Sequence, residues 1–176
     1  EGGGLGSYTR LEQVALHEGV LEAGVEGKNL LVIGSINPWV EALLVHEGAS
    51  HVTTIEYGAI ANTHPKFTTL TPSEARRLQQ QGALGPFDGV VSFSSVEHSG
   101  LGRYGDALNP WADVQAVARA WCLCSPGAFL LLGVPTEPFH GREGVYWNAH
   151  RVYGKTMYPH LTANWRQVWR HPGGAG

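Results

Sequence analysis

The stretch Lys28-Asn-Leu-Leu-Val-Ile-Gly34, continued by Ser35-Ile-Asn-Pro-Trp39, decides the fold. An unbroken apolar run closed by glycine suits a strand buried on both faces, as in a parallel sheet. Asn37-Pro38 reads as an N-cap with proline at the first helical position, and Trp39, Val40, Leu43 and Leu44 share one face until Gly48. His51-Val-Thr-Thr-Ile-Glu56 is β-branched and reads as the next strand. Together these segments make one βαβ unit.

Outward from that unit the alternation continues. Upstream, Thr9-Arg-Leu-Glu12 has capping-box spacing, and the sequence predicts a helix over about 10–18 that stops at Gly19. Downstream, strands are expected at 66–70, 88–94 and 128–133, with a weaker sixth at 164–169. Thr71-Pro72-Ser-Glu74 starts a helix ending near Gly82, and Asn109-Pro110 starts one running to about Cys124. Strands alternating with helices imply an α/β domain: a doubly wound, mostly parallel, Rossmann-like sheet with helices on both faces. The expected organisation is an N-terminal helix and flexible start over 1–27, the α/β domain over 28–170, and a flexible tail over 171–176. Gly-rich ends and the lack of a seventh strand suggest a fragment of something longer.

Composition narrows the function classes. The chain has 176 residues, 43% of them hydrophobic and 15% charged, which is globular composition. With a net charge of -3 and no basic run, a nucleic-acid partner is not expected. The longest apolar runs are too short to span a bilayer. Cys122 and Cys124 fall two apart in a predicted helix, where they do not face each other, and read as packing thiols. Nothing demands an oxidising compartment, so cytoplasm is the default location. The nine histidines show no His-x-x-x-His or His-Glu-x-x-His spacing, so no metal is expected. Gly-x-Ser-x-Gly, the serine-hydrolase turn, is missing too.

In open parallel sheets, ligands bind outside the carboxyl ends of the strands at the switch point. That rule nominates Gly34, Ser35 and Asn37, then Glu56 and Tyr57, then the segment from Ser95 onward. Glu56 closes the second strand about 20 residues past Gly34, where an acid can accept ribose hydroxyls. The turn Gly34-Ser-Ile-Asn-Pro-Trp39 is a poor phosphate cradle: Ile36 replaces the second glycine of Gly-x-Gly-x-x-Gly, and Pro38 lacks an N–H. A cofactor with a ribose and no phosphate, S-adenosylmethionine, fits better. The fourth strand leaves through Ser95-Val-Glu97-His98-Ser-Gly-Leu-Gly-Arg103-Tyr104-Gly-Asp106, a Gly-rich loop able to fold over a ligand. His98 is the candidate general base, and Glu97 either orients it or contacts the cofactor. Arg103, Tyr104 and Asp106 are expected to face an acceptor, unless Arg103 and Asp106 merely pair with each other. A second cluster, Tyr146-Trp-Asn-Ala-His150-Arg151-Val-Tyr153, assigns His150, Arg151 and Tyr153 to the acceptor too, or else to an amphipathic cap.

The runs Val32–Ala42, Val52–Tyr57, Ser95–Asp106, Asn109–Trp111 and Asn148–Tyr153 resemble the DUF268 family, uncharacterised proteins similar to methyltransferases, over about residues 28–170. More broadly the chain resembles class I S-adenosylmethionine-dependent methyltransferases. The resemblance places their first motif at Gly34–Asn37, their ribose acid at Glu56, and their fourth-strand motif at Ser94–His98. Here the first motif carries a single glycine. The expected activity is methyl transfer to a hydroxyl or carboxyl of a small molecule or glycan. The alternatives are a non-catalytic binding or scaffold domain and a nucleotide-sugar enzyme on the same fold.

Overall fold

The computed structural model describes residues 8–58, 60–136 and 142–171. Most of both ends expected to be flexible, residues 1–7 and 172–176, lies outside them. Strands β1 (Asn29–Ile33), β2 (His51–Ile55), β3 (Phe67–Leu70), β4 (Phe87–Phe93) and β5 (Cys124–Gly133) form one parallel sheet in the order β3-β2-β1-β4-β5. The chain moves outward from β1 to β3 and then returns to place β4 on the other side of β1. This reversal is the switch point of a doubly wound sheet.

Side chains alternate across β1 and define the two layers. Leu30 and Val32 face helices α1 (Arg10–Ala23) and α2 (Trp39–His46), packing with Leu16, Val20, Val40 and Leu44. Leu31 and Ile33 face the opposite side, that of Leu84 and of Ala120 and Leu123 around the end of α4 (Ala112–Cys122). Helix α3 (Pro72–Gln80) begins at Thr71, whose side chain and Glu74 form the expected capping box. A short α5 (Met157–Leu161) packs against α4, and an antiparallel hairpin of β6 (Gly144–Tyr146) and β7 (His150–Val152) stands apart from the sheet.

Several local expectations are corrected. Helix α1 does not stop at Gly19 but continues to Ala23, capped by Gly24 in the left-handed conformation. Gly19 is instead a contact point: a Cβ there would lie 2.6 Å from Leu131 Cδ1, so glycine lets the helix approach β5. Pro38, not Asn37, holds the N-cap position of α2, without a side-chain cap. Asn109 precedes α4 in a turn in which its Oδ1 accepts the Trp111 N–H at 3.0 Å, and the helix starts at Ala112. Pro126-Gly127 does not separate α4 from the fifth strand. It lies inside β5, where the register with β4 shifts between Phe87 and Gly89. The two cysteines therefore do not share a helix: Cys122 ends α4 and Cys124 opens β5. Residues 164–169 form no strand.

Candidate functional site

Two backbone features shape the crevice between β1 and β4. Gly34 leaves β1 with φ +71°, and a Cβ there would fall 1.8 Å from Ser95 Oγ. Only glycine permits that approach. Ser94 leaves β4 at φ +49°, unusual for a residue with a side chain. This bend carries the chain into a 3₁₀ turn, Val96–His98, so that Ser95 and His98 return over the crevice. Such strain is typical of positions held by their surroundings at ligand sites.

A cavity of about 600 Å³ opens there. Gly34, Ser35 and Asn37 line it from the β1–α2 loop, and Glu56 and Tyr57 from the end of β2. Ser95 and His98 line it from the 3₁₀ turn, and Arg103, Tyr104 and Asp106 from the loop beyond. Glu56 and His98 therefore border one common space.

Glu56 is held by backbone amides. Its Oε2 accepts the Ser35 N–H at 2.6 Å, and its Oε1 accepts those of Tyr57 at 2.6 Å and Gly58 at 3.3 Å. A carboxylate offers roughly four acceptor positions, so about one remains for a ligand hydroxyl. Beneath the same loop lies Glu41, 1% exposed, whose Oε1 accepts the Thr54 hydroxyl at 2.7 Å. Its Oε2 is 3.0 Å from Ser35 Oγ, which also lies 2.7 Å from the carbonyl of Asn37. Burial pushes the Glu41 carboxyl above its ordinary range. A protonated Glu41 would donate to the Ser35 hydroxyl, leaving the Ser35 hydrogen for the Asn37 carbonyl.

His98 faces the cavity with its tautomer fixed. Nδ1 lies 2.5 Å from the Ala149 carbonyl, which can only accept, so Nδ1 carries the proton and Nε2 keeps a lone pair. Burial lowers the His98 pKa, and the charge of Arg103 lowers it further. Glu97 Oε1 is 3.7 Å from Nε2, but Glu97 does not line the cavity. Its side chain is buried with neither oxygen hydrogen-bonded, and burial raises its pKa. Both partners thus favour their neutral forms.

Three residues assigned to the acceptor do not reach the cavity. Arg151 is 3% exposed and spends its guanidinium on the carbonyls of Glu97, Ser99, Asn109 and Pro110, with Nε 3.4 Å from Asp113. Tyr153 is 1% exposed and donates its hydroxyl to Asp113 at 2.8 Å. Both are internal scaffold: Arg151 ties the hairpin to the 3₁₀ turn, and Tyr153 ties the residue after β7 to α4. His150 packs between the rings of His98 and Tyr146, at 6.1 and 5.1 Å, and is not part of the lining. Arg103 and Asp106 do not form the internal pair weighed from sequence. Asp106 instead accepts the N–H groups of Gly100 and Tyr104, and Arg103 lies over the Tyr104 ring.

Sequence reading missed other lining residues. Tyr8 packs with Trp39 and Phe93 in a cluster of three rings, 5.2 to 5.6 Å apart, at one end of the cavity. Arg76 and Arg119 enter from α3 and α4. Their positions follow from helix packing and left no motif. Among the described residues no group of three or more His, Cys, Asp or Glu is placed to hold a metal, and no helix is long and apolar enough to cross a membrane.

The strand order and the switch-point crevice define a Rossmann-like α/β domain with a cavity of about 600 Å³ at the carboxyl ends of its strands. The chain belongs to the DUF268 family, described as Caenorhabditis protein of unknown function, whose model matches residues 27–170. Among solved structures, the crystal structure of PRMT6-SAH is similar at a TM-score of 0.43 and 16% identity, covering 63% of this chain and 36% of that one. The chain thus spans little more than a third of that structure's length. No curated protein matches in sequence.

Proposed function

We propose that the cavity binds S-adenosylmethionine and that the protein transfers its methyl group to a hydroxyl or carboxyl of a small molecule or glycan. The observation that carries this reading is the shared cavity of Glu56 and His98, entered over a single-glycine turn. Glu56 would take one ribose hydroxyl through its remaining acceptor position. Gly34, Ser35, Asn37, Tyr57 and Ser95 would contact the rest of the cofactor.

The chemistry asks little beyond orientation and one proton transfer. With a hydroxyl acceptor, bound S-adenosylmethionine would supply the methyl group, the new O–C bond forming as the C–S bond breaks to leave a neutral thioether. The hydroxyl proton passes to His98 Nε2, whose lone pair is available because Nδ1 is tied to Ala149. The charge gained by the imidazole lies beside Glu97, where it favours ionisation of that carboxyl. A carboxylate acceptor needs no base. Arg103, Tyr104 and Asp106 line the side from which the acceptor would approach.

Calorimetry with S-adenosylmethionine tests the reading. Saturable binding, with a nucleoside diphosphate sugar giving none, is the expected result. Binding of the diphosphate alone would replace methyl transfer with the nucleotide-sugar reading. Binding of neither would leave a scaffold domain.

A further inference from the structure

The cavity extends well past the strand ends. Leu31, Ile33, Ile55, Ala75, Ala120 and Leu123 form an apolar arm that runs back over β1 and β2 between α3 and α4. Its rims carry charge of one sign. Arg76 stands on α3 and Arg119 on α4, both exposed, with Arg103 at the mouth. None of the three forms an ion pair among the described residues. Glu56 and Asp106, the carboxylates that also line the cavity, sit on the loops at the strand ends, where they accept backbone N–H groups, rather than on α3 or α4.

An apolar slot flanked by guanidiniums without ion pairs is complementary to one ligand chemistry. We infer that the arm is the subsite of an anionic amphiphile, its apolar body lying over Ile33 and Ile55 and its carboxylate or phosphate head held by Arg76 and Arg119. Guanidinium groups suit such heads because their planar donors match paired oxygens. Apolar burial supplies the affinity and the arginines the orientation. As an acceptor subsite the assignment rests on the methyl-transfer reading, whose acceptor it narrows to a small amphiphile; as a binding site it stands without it.

The test uses the full chain with four probes below their micelle concentrations: dodecyl phosphate, dodecanoate, dodecyltrimethylammonium and inorganic phosphate. The two anionic amphiphiles are expected to bind saturably, the cationic one not at all, and inorganic phosphate at least about a hundredfold more weakly. Whichever anion binds tighter names the head. Arg76→Gln and Arg119→Gln, both at exposed sites, should each weaken the anions about tenfold. Ala116→Phe, at a half-buried lining position, should block the arm while S-adenosylhomocysteine affinity is retained. Equal binding of the cationic probe, or indifference to both arginine changes, overturns the subsite. So does a parallel loss of amphiphile and S-adenosylhomocysteine in Ala116→Phe, which would make the arm part of the cofactor site. Amphiphile binding without S-adenosylhomocysteine binding supports the subsite and contradicts only methyl transfer.

Discussion

The Glu56 carboxylate accepts the Ser35 N–H at 2.6 Å, so the acid that closes β2 also latches the loop that leaves β1. In the proposed reading, cofactor contact and loop order are both carried by this one side chain. Glu56→Ala removes both, and S-adenosylmethionine affinity should fall roughly ten- to a hundredfold, the worth of a charged hydrogen bond. Amide hydrogen exchange at Ser35 should accelerate in the same variant. Weakened binding with unchanged exchange would separate the two roles.

Gly34 and Ser95 form the tightest approach in the crevice. Gly34→Ala adds a Cβ 1.8 Å from Ser95 Oγ at a left-handed φ, and should cost about 1–3 kcal/mol of stability and abolish ligand binding. Gly34→Ala with Ser95→Gly should recover part of the stability, because the clash goes and the backbone strain stays. Chemical denaturation of both variants measures the difference.

His98, with its pKa lowered by burial, should remain a free base below the usual imidazole range. The rate should therefore rise with pH through a midpoint below 6.5, the ordinary value. His98→Ala should lose roughly a hundred- to ten-thousandfold in kcat with cofactor affinity retained. A midpoint above the ordinary value would assign the proton transfer elsewhere.

Burial raises the pKa of Glu41 and of Glu97 on folding. Each then contributes stability that is complete below its ordinary pKa of 4.5 and is lost as pH rises through the folded value. Glu97→Gln, which replaces a buried carboxyl lacking hydrogen bonds with a neutral amide, should hold or raise Tm at neutral pH and flatten the decline in Tm as pH rises above 4.5. A sharp drop in Tm at neutral pH would mean that the ionised carboxylate is needed.

Arg151 and Tyr153 give the opposite expectation from an acceptor-binding role. Arg151→Ala leaves the buried Asp113 carboxylate without its cation and should cost about 3–5 kcal/mol. Tyr153→Phe, which loses one hydroxyl bond to Asp113, should cost less, about 1–3 kcal/mol. Thermal unfolding decides both.

The sheet was legible because buried parallel strands read as apolar runs, and the Thr71 and Thr9 capping boxes marked two helix starts directly. The crevice residues followed from a topological rule that needs only strand ends. Other features depended on tertiary contact. Gly19 reads as a helix stop until Leu131 is seen against it. Asn37 has the chemistry of a cap, yet the Ser35–Glu41 network orders that loop instead. Arg151 reads as a residue facing the acceptor or as part of an amphipathic cap, and only its burial beside Asp113 shows that it serves the scaffold. Tyr8, Arg76 and Arg119 come from segments distant in sequence and meet only when the helices pack.

The central claim is that a nucleoside cofactor lies between Glu56 and His98. A crystal structure grown with S-adenosylhomocysteine tests it most directly. The account predicts a ribose hydroxyl within hydrogen-bonding distance of Glu56 and the sulfur on the side of His98. A ligand seated elsewhere, or a crevice that stays closed to it at saturating concentration, would contradict the account.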